Sequence, residues 1–166
     1  MGKIISIAML LAAALGLYVI RVQMSKLDED VVYAYYQKSI DATRSFDART
    51  LCDLMDRDYR SVDVVKTPKG EERMDMNRKQ ACTATRESMA MMKDVVAATR
   101  IEPDFKYVIE SVTLSPDRRQ AVVKVRASMR IGKRISISTT GTETLVRRMG
   151  RVFSKGSDTR STVSVR

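Results

Sequence analysis

Cys52 and Cys82 are the only two cysteines of the chain, and their thiols are the first place to look for chemistry. Their spacing fits neither a zinc-ligand pattern nor a C-x-x-C redox motif. Two readings stay open: a disulfide, if the domain matures in an oxidising compartment, or two small buried hydrophobes. Histidine is absent altogether. That removes imidazole acid–base catalysis, histidine-dependent triads and histidine metal sites. No metal and no cofactor is expected. A second set of residues is basic. Arg147, Arg148 and Arg151 flank Gly150 in "VRRMGRVF", and Lys124, Arg126 and Arg130 recur along one strand face. Such groups attract anions rather than catalyse.

The charge is unevenly spread. Of a formal net +10, residues 1–114 contribute nothing, with 17 basic and 17 acidic side chains, whereas residues 115–166 hold 13 basic and 3 acidic. This asymmetry points to an anionic partner, or else to a solvated surface selected for solubility. Nucleic acid is not expected as that partner. No helix-turn-helix, zinc-finger or RNP-type pattern is present, and Phe153 is the only aromatic after Tyr107, so base-stacking groups are missing.

Before any domain comes an apolar segment. Ile4 to Ile20 is interrupted only by Ser6, Gly16 and Tyr18, with Lys3 before it and Arg21 after it. Its length just meets what a membrane-spanning helix needs. The expectation is an anchor over residues 1–25, in the membrane through residues 4–20, and one domain over 26–166 on the extracytoplasmic side, the periplasm of a bacterium. A cleaved secretory signal is the competing reading, with small residues at Ala12 to Ala14 or Gly16 near the cut.

Leu27, Val31, Val32, Tyr35, Tyr36, Ile40 and Phe46 recur at helical spacing and predict a first helix. Asp47 is the expected N-cap of a short second helix, "ARTLCDLMDRDY", with Leu51, Leu54, Met55 and Tyr59 as its stripe. "RSVDVVK" predicts a strand that ends in a turn at Pro68 and Gly70. A third helix is predicted from Asp75 to about Val96, with Ala81, Cys82, Thr85, Met89 and Met92 on one face. Packing of the second and third helices would make a Cys52–Cys82 bridge geometrically possible.

After Thr99 the period changes to two. Residues 100–114 form one strand, and in "QAVVKVRASMRI" Ala121, Val123, Val125, Ala127 and Met129 alternate with Lys124, Arg126, Ser128 and Arg130. "ISISTTGTETLVRR" follows with Ser136, Ser138, Thr140 and Thr142 on one face, and "VFSKGSDTRSTVSV" closes a run of hairpins.

This order of elements resembles the nuclear transport factor 2-like superfamily, which includes the SnoaL-like and ketosteroid-isomerase-like proteins. "SIDATRSFDARTLCDLMDRDYRSVD" is similar to that family's first two helices and following strand, and "TETLVRRMGRVFSKGSDTRSTV" to its closing hairpin. The resemblance spans about residues 31–165. It implies an α+β domain, three helices wrapped by a curved antiparallel sheet into a cone whose interior often holds a small molecule. Enzymes of the family place Asp, Tyr or His inside. Here the candidates are Tyr36, Tyr59 and Asp58, since a tyrosine–carboxylate pair could polarise a carbonyl and move a proton. Core tyrosines and a surface aspartate are the other reading.

Membrane-anchored members also serve as non-enzymatic assembly domains, for example in bacterial secretion systems, and the layout here is similar. The first functional expectation is therefore a membrane-tethered interaction domain. It would use Lys124, Arg126 and Arg130 with hairpin residues Arg147, Arg148 and Arg151 to contact a protein partner or anionic lipid; a homo-oligomer is also open. The alternative is a small-molecule-binding or isomerase- or lyase-like pocket. The cone interior discriminates between them. A filling of Met and Leu side chains favours interaction, and a ligand-sized cavity holding a carboxylate favours the pocket.

Overall fold

Three polar residues set the helix starts. Asp28 accepts a hydrogen bond from the Val31 N–H at 2.9 Å, Asp47 accepts from the Thr50 N–H at 3.0 Å, and Asn77 forms a reciprocal capping box with Gln80. The computed structural model describes residue 16 and residues 23–132 and 135–165. Among these residues the order is α1 (Glu29–Arg44), α2 (Ala48–Asp53), β1 (Met55–Thr67), β2 (Gly70–Asn77), α3 (Arg78–Thr99), β3 (Asp104–Leu114), β4 (Gln120–Ile131), β5 (Ile135–Arg148) and β6 (Arg151–Val165).

The strands form one sheet in the order β2-β1-β6-β5-β4-β3. Every neighbouring pair is antiparallel except β1 and β6, which run parallel, so the all-antiparallel expectation fails at that one seam. Two local expectations also change. Met55 and Tyr59 are not on a helix stripe, because α2 stops at Asp53 and Met55 already pairs with Ser154 of β6. Residues 70–77 form an edge strand rather than turn and helix start, which delays α3 to Arg78. Glu71, Glu72 and Arg73 hid that strand: charged residues suit an exposed edge, where they discourage further pairing.

The main core lies between α1 and the concave side of β3, β4 and β5. Leu27, Val32, Tyr36, Val123 and Leu145 are almost wholly buried there, with Tyr107, Ile109 and Val112 packed around them. The alternation of β4 holds: Ala121, Val123 and Val125 point inward. The other end of the cone is closed by α2 and α3, tied together by a disulfide between Cys52 and Cys82 whose Cα atoms stand 5.2 Å apart.

Sheet curvature has visible causes. Register shifts occur between Met55 and Arg60, between Ile109 and Ser111, and between Thr144 and Leu145, where irregular pairing sharpens the local bend. Gly141 in β5 lies so close to β6 that a Cβ would collide with the Asp158 carbonyl and Thr159 Cα.

The apolar segment 4–20, apart from Gly16, lies outside the described residues, as does the expected membrane contact made through it. Among the described residues no helix is long and apolar enough to cross a membrane. The chain that follows the segment is held at the β5–β6 turn. Gly150 N–H donates to the Met24 carbonyl at 3.0 Å, and Arg147 donates to the Lys26 carbonyl at 2.7 Å.

Candidate functional site

Alternation along β5 places Ile137, Thr139, Gly141, Glu143 and Leu145 toward the helices, opposite the Ser136, Ser138, Thr140 and Thr142 face. Glu143 is thus a charged residue in an inward register. Two neighbouring phenols of α1 hold it. Tyr35 Oη donates to Glu143 Oε1 at 3.0 Å, and Tyr36 Oη donates to Oε2 at 2.7 Å. The Tyr35 and Tyr36 rings meet edge-on at 5.2 Å, and Tyr107 packs on the far side of Tyr36 at 5.4 Å.

Burial pushes the Tyr35, Tyr36 and Tyr107 phenols well above their usual range, and the Glu143 charge pushes the same way. They stay protonated and act as donors. Burial also raises Tyr59, with its Ser157 contact working against the rise.

In front of Glu143 opens a cavity of about 590 Å³ between α3, β1, β2 and the inward faces of β5 and β6. Its second carboxylate is Asp63 of β1, which accepts hydrogen bonds from Ser61 Oγ at 3.1 Å and from Thr159 Oγ1. Tyr59 lines the same wall, its hydroxyl 2.9 Å from Ser157 Oγ. Ser154 Oγ is buried on this wall without a hydrogen bond of full geometry among the described residues; it lies beside the Tyr35 phenol, where its contact works against the rise in that phenol. Apolar side chains complete the lining: Leu51 and Leu54 from the α2 region, Met89 from α3, and Met74 and Met76 from β2, which pair across the strands with Asp63 and Ser61. The methionines border the space instead of filling it. Among the described residues no lysine or arginine lines the cavity, and no cluster of acidic or sulfur groups is arranged for a metal ion.

Of the sequence candidates, Tyr36 and Tyr59 reach this region, Tyr36 behind Glu143 and Tyr59 in the cavity wall. Asp58 does not. It is exposed beside an inward Tyr59, on the outer side of β1, paired with Arg57 at 3.4 Å and Arg148 at 3.6 Å. The residues missed were Glu143, Asp63 and Tyr35. For Glu143 the signal was legible, because it sits in phase with Ile137 and Leu145 of β5; for Asp63 it was not, because Val62 and Val64 carry the apolar alternation of β1 and Asp63 falls out of phase with them.

The expected basic contact surface divides. Arg126 pairs with Glu110 at 2.7 Å and Arg130 with Asp104 at 3.2 Å, on the exposed face shared with Lys124. Arg130 pairs with Ser136, whereas Gln120 pairs with Val146 near the hairpin tip, so Arg130 lies at the far end of β4 from Arg147, Arg148 and Arg151. Arg147 tethers the incoming chain, Arg148 binds buried Asp56 at 2.9 Å, and Arg151 lies over the Phe153 ring at 5.2 Å. A second basic surface lies elsewhere. Arg57, Arg60, Arg78, Lys79 and Arg86 line an open groove between β1 and α3, with Asp58 the one acid. Counting charge along the chain could not detect that groove, because the fold brings two separate segments together.

No protein-family model matches the sequence, and no curated protein matches it. Solved structures do. A conserved protein from Planctomyces limnophilus DSM 3776 is similar at a TM-score of 0.55 and 16% identity, over 84% of this chain and 98% of that one. An NTF2-like protein of unknown function from Pseudomonas putida KT2440 is similar at 0.57 and 10%, over 80% and 84%. A putative scytalone dehydratase from Novosphingobium aromaticivorans DSM 12444 is similar at 0.56 and 13%, over 82% and 86%. At these identities the likeness is one of fold: three helices on a curved six-stranded sheet, the cone of NTF2-like proteins.

Proposed function

We propose that this domain binds a small organic molecule inside the cone, with Glu143 as the polar anchor. The carrying observation is a carboxylate fixed from behind by Tyr35 and Tyr36 and open in front to a cavity of ligand size. Each Glu143 oxygen accepts one phenol, which leaves lone pairs for a ligand. The methionine-rich wall supplies contact for an apolar body. The same groups suit an elimination or isomerisation, with Glu143 taking a proton beside phenols that remain able to give one. The fold shared with a protein named as a putative scytalone dehydratase is consistent with that extension.

A neutral, polarity-sensitive dye tests the reading. Saturable fluorescence enhancement is expected with the wild type and is lost in Ala84→Trp, which puts an indole into the cavity lining. Equal enhancement by both proteins, with the variant folded by circular dichroism, refutes it.

A second reading, contact with an anionic protein partner or surface, is supported by the five-cation groove between β1 and α3. Charge reversal at Lys79 and Arg86 should abolish a pull-down of the partner while leaving the melting temperature in place; retained capture rejects it. On this reading residues 4–20 tether the domain to the membrane. The disulfide supports an extracytoplasmic position. Reporters active on one side of the membrane, fused after Arg166, decide between the two sides.

A further inference from the structure

We infer that the cone selects a positively charged ligand, an ammonium head on a small apolar body; the inference rests on the ligand-pocket reading and adds the ligand's chemistry to it. Two carboxylates face the cavity from different strands, Glu143 from β5 and Asp63 from β1. Neither has an ion-pair partner among the described residues. Their hydrogen-bond donors are neutral hydroxyls: Tyr35 and Tyr36 for Glu143, Ser61 and Thr159 for Asp63.

Guanidinium partners are met by carboxylates elsewhere: Asp56 meets Arg148, Asp104 meets Arg130 and Glu110 meets Arg126. Among the described residues none supplies a cation to the cavity. Two like charges within low-dielectric walls focus a negative potential that attracts cations and repels anions. Hydroxyl donors fix the carboxylate oxygens while leaving further lone pairs for N–H donors.

Ser154 adds an independent observation. Ser154 is 2% exposed and lines the same cavity; its hydroxyl makes no hydrogen bond of full geometry among the described residues, its contact with the Tyr35 phenol being only close enough to oppose the rise in that phenol. The phenol rings of Tyr35 and Tyr59 border the space, and aromatic surface favours alkylammonium groups over carboxylates. Leu51 and Met89 provide the wall against which a hydrocarbon body packs.

Competition against the neutral dye tests this with three compounds of one shape: cyclohexylmethylamine, cyclohexylmethanol and cyclohexanecarboxylate. At pH 7 the amine should displace the dye at a concentration about tenfold or more below the alcohol, the ratio expected of one charge-assisted hydrogen bond. The carboxylate should be weaker than the alcohol. In Glu143→Gln and Asp63→Asn, the amine-to-alcohol ratio measured within each variant should fall toward one. Raising salt should shrink the same ratio in the wild type, a check that needs no variant. An alcohol equal to the amine, or an amine preference indifferent to both substitutions and to salt, overturns the charge inference and leaves the pocket standing. Failure of the dye itself to enter the cavity overturns the pocket, and this inference with it.

Discussion

Tyr36 and Glu143 are 107 residues apart in the chain, yet the Tyr36 hydroxyl donates a 2.7 Å hydrogen bond to Glu143 Oε2. That bond ties the core helix to the strand carrying the cavity carboxylate. Tyr36→Phe should destabilise the domain by about 1.5–3 kcal/mol, the cost of losing a hydrogen bond to a charged group. Urea unfolding of Tyr36→Phe, Glu143→Gln and the double variant gives the coupling between them. Strict additivity would show that the bond contributes nothing.

Alkaline pH should weaken the fold through the same tyrosines. Unfolded tyrosine ionises near pH 10, whereas Tyr35, Tyr36 and Tyr107 are held protonated well beyond it by burial and by Glu143. Above pH 10 the unfolded chain therefore binds fewer protons than the folded one, so stability falls as pH rises. The slope is up to about 1.4 kcal/mol per pH unit for each suppressed phenol. Below pH 9 these groups contribute no slope. Urea midpoints from pH 8 to 11.5, read beside phenolate absorbance, check both the sign and the window.

Reducing the Cys52–Cys82 bridge should cost about 3.6 kcal/mol, as expected for closing a loop of some thirty residues. For a domain of this size that lowers the melting temperature by roughly 7–14 °C. Thermal unfolding with and without a phosphine reductant measures it. Identical melting curves would mean that the thiols are not joined in solution.

Arg148 should behave unlike its basic neighbours on the sheet. It meets Asp56, which is 3% exposed, at 2.9 and 3.2 Å, so Arg148→Ala strands a buried carboxylate and should cost about 2 kcal/mol or more. Arg148→Lys should recover only part, since an ammonium cannot reproduce the two-pronged contact. Arg126→Ala and Arg130→Ala remove exposed pairs and should each stay under about 1 kcal/mol. Equal effects at all three positions would contradict the burial difference. A charge reversal meant to probe partner binding should accordingly avoid Arg148.

Gly141→Ala should destabilise by about 1–3 kcal/mol, because the added methyl has only the backbone of Asp158 and Thr159 to push against. Denaturation gives the size. A neutral outcome would show that β5 and β6 can separate locally without loss.

The chain's local chemistry sufficed for most elements. Asp47 announced the second helix, the repeat from Leu27 to Tyr36 the first, and the alternation from Ala121 to Arg130 a half-buried strand. These signals are short-range: a capping side chain acts within three residues, and periodicity reports which face is buried. It is silent about what that face meets. The inward phase of Glu143 was there to be read along β5, but its pairing with Tyr35 and Tyr36 was not, and neither was the Asp63–Thr159 contact across 96 residues. The joining of the cysteines, the parallel seam between β1 and β6, and the basic groove beside α3 likewise depend on segments distant in sequence. Tertiary packing decided these, because whether an inward carboxylate ends in a filled core or at an open cavity depends on the volume left between α3 and the sheet, which no single segment encodes.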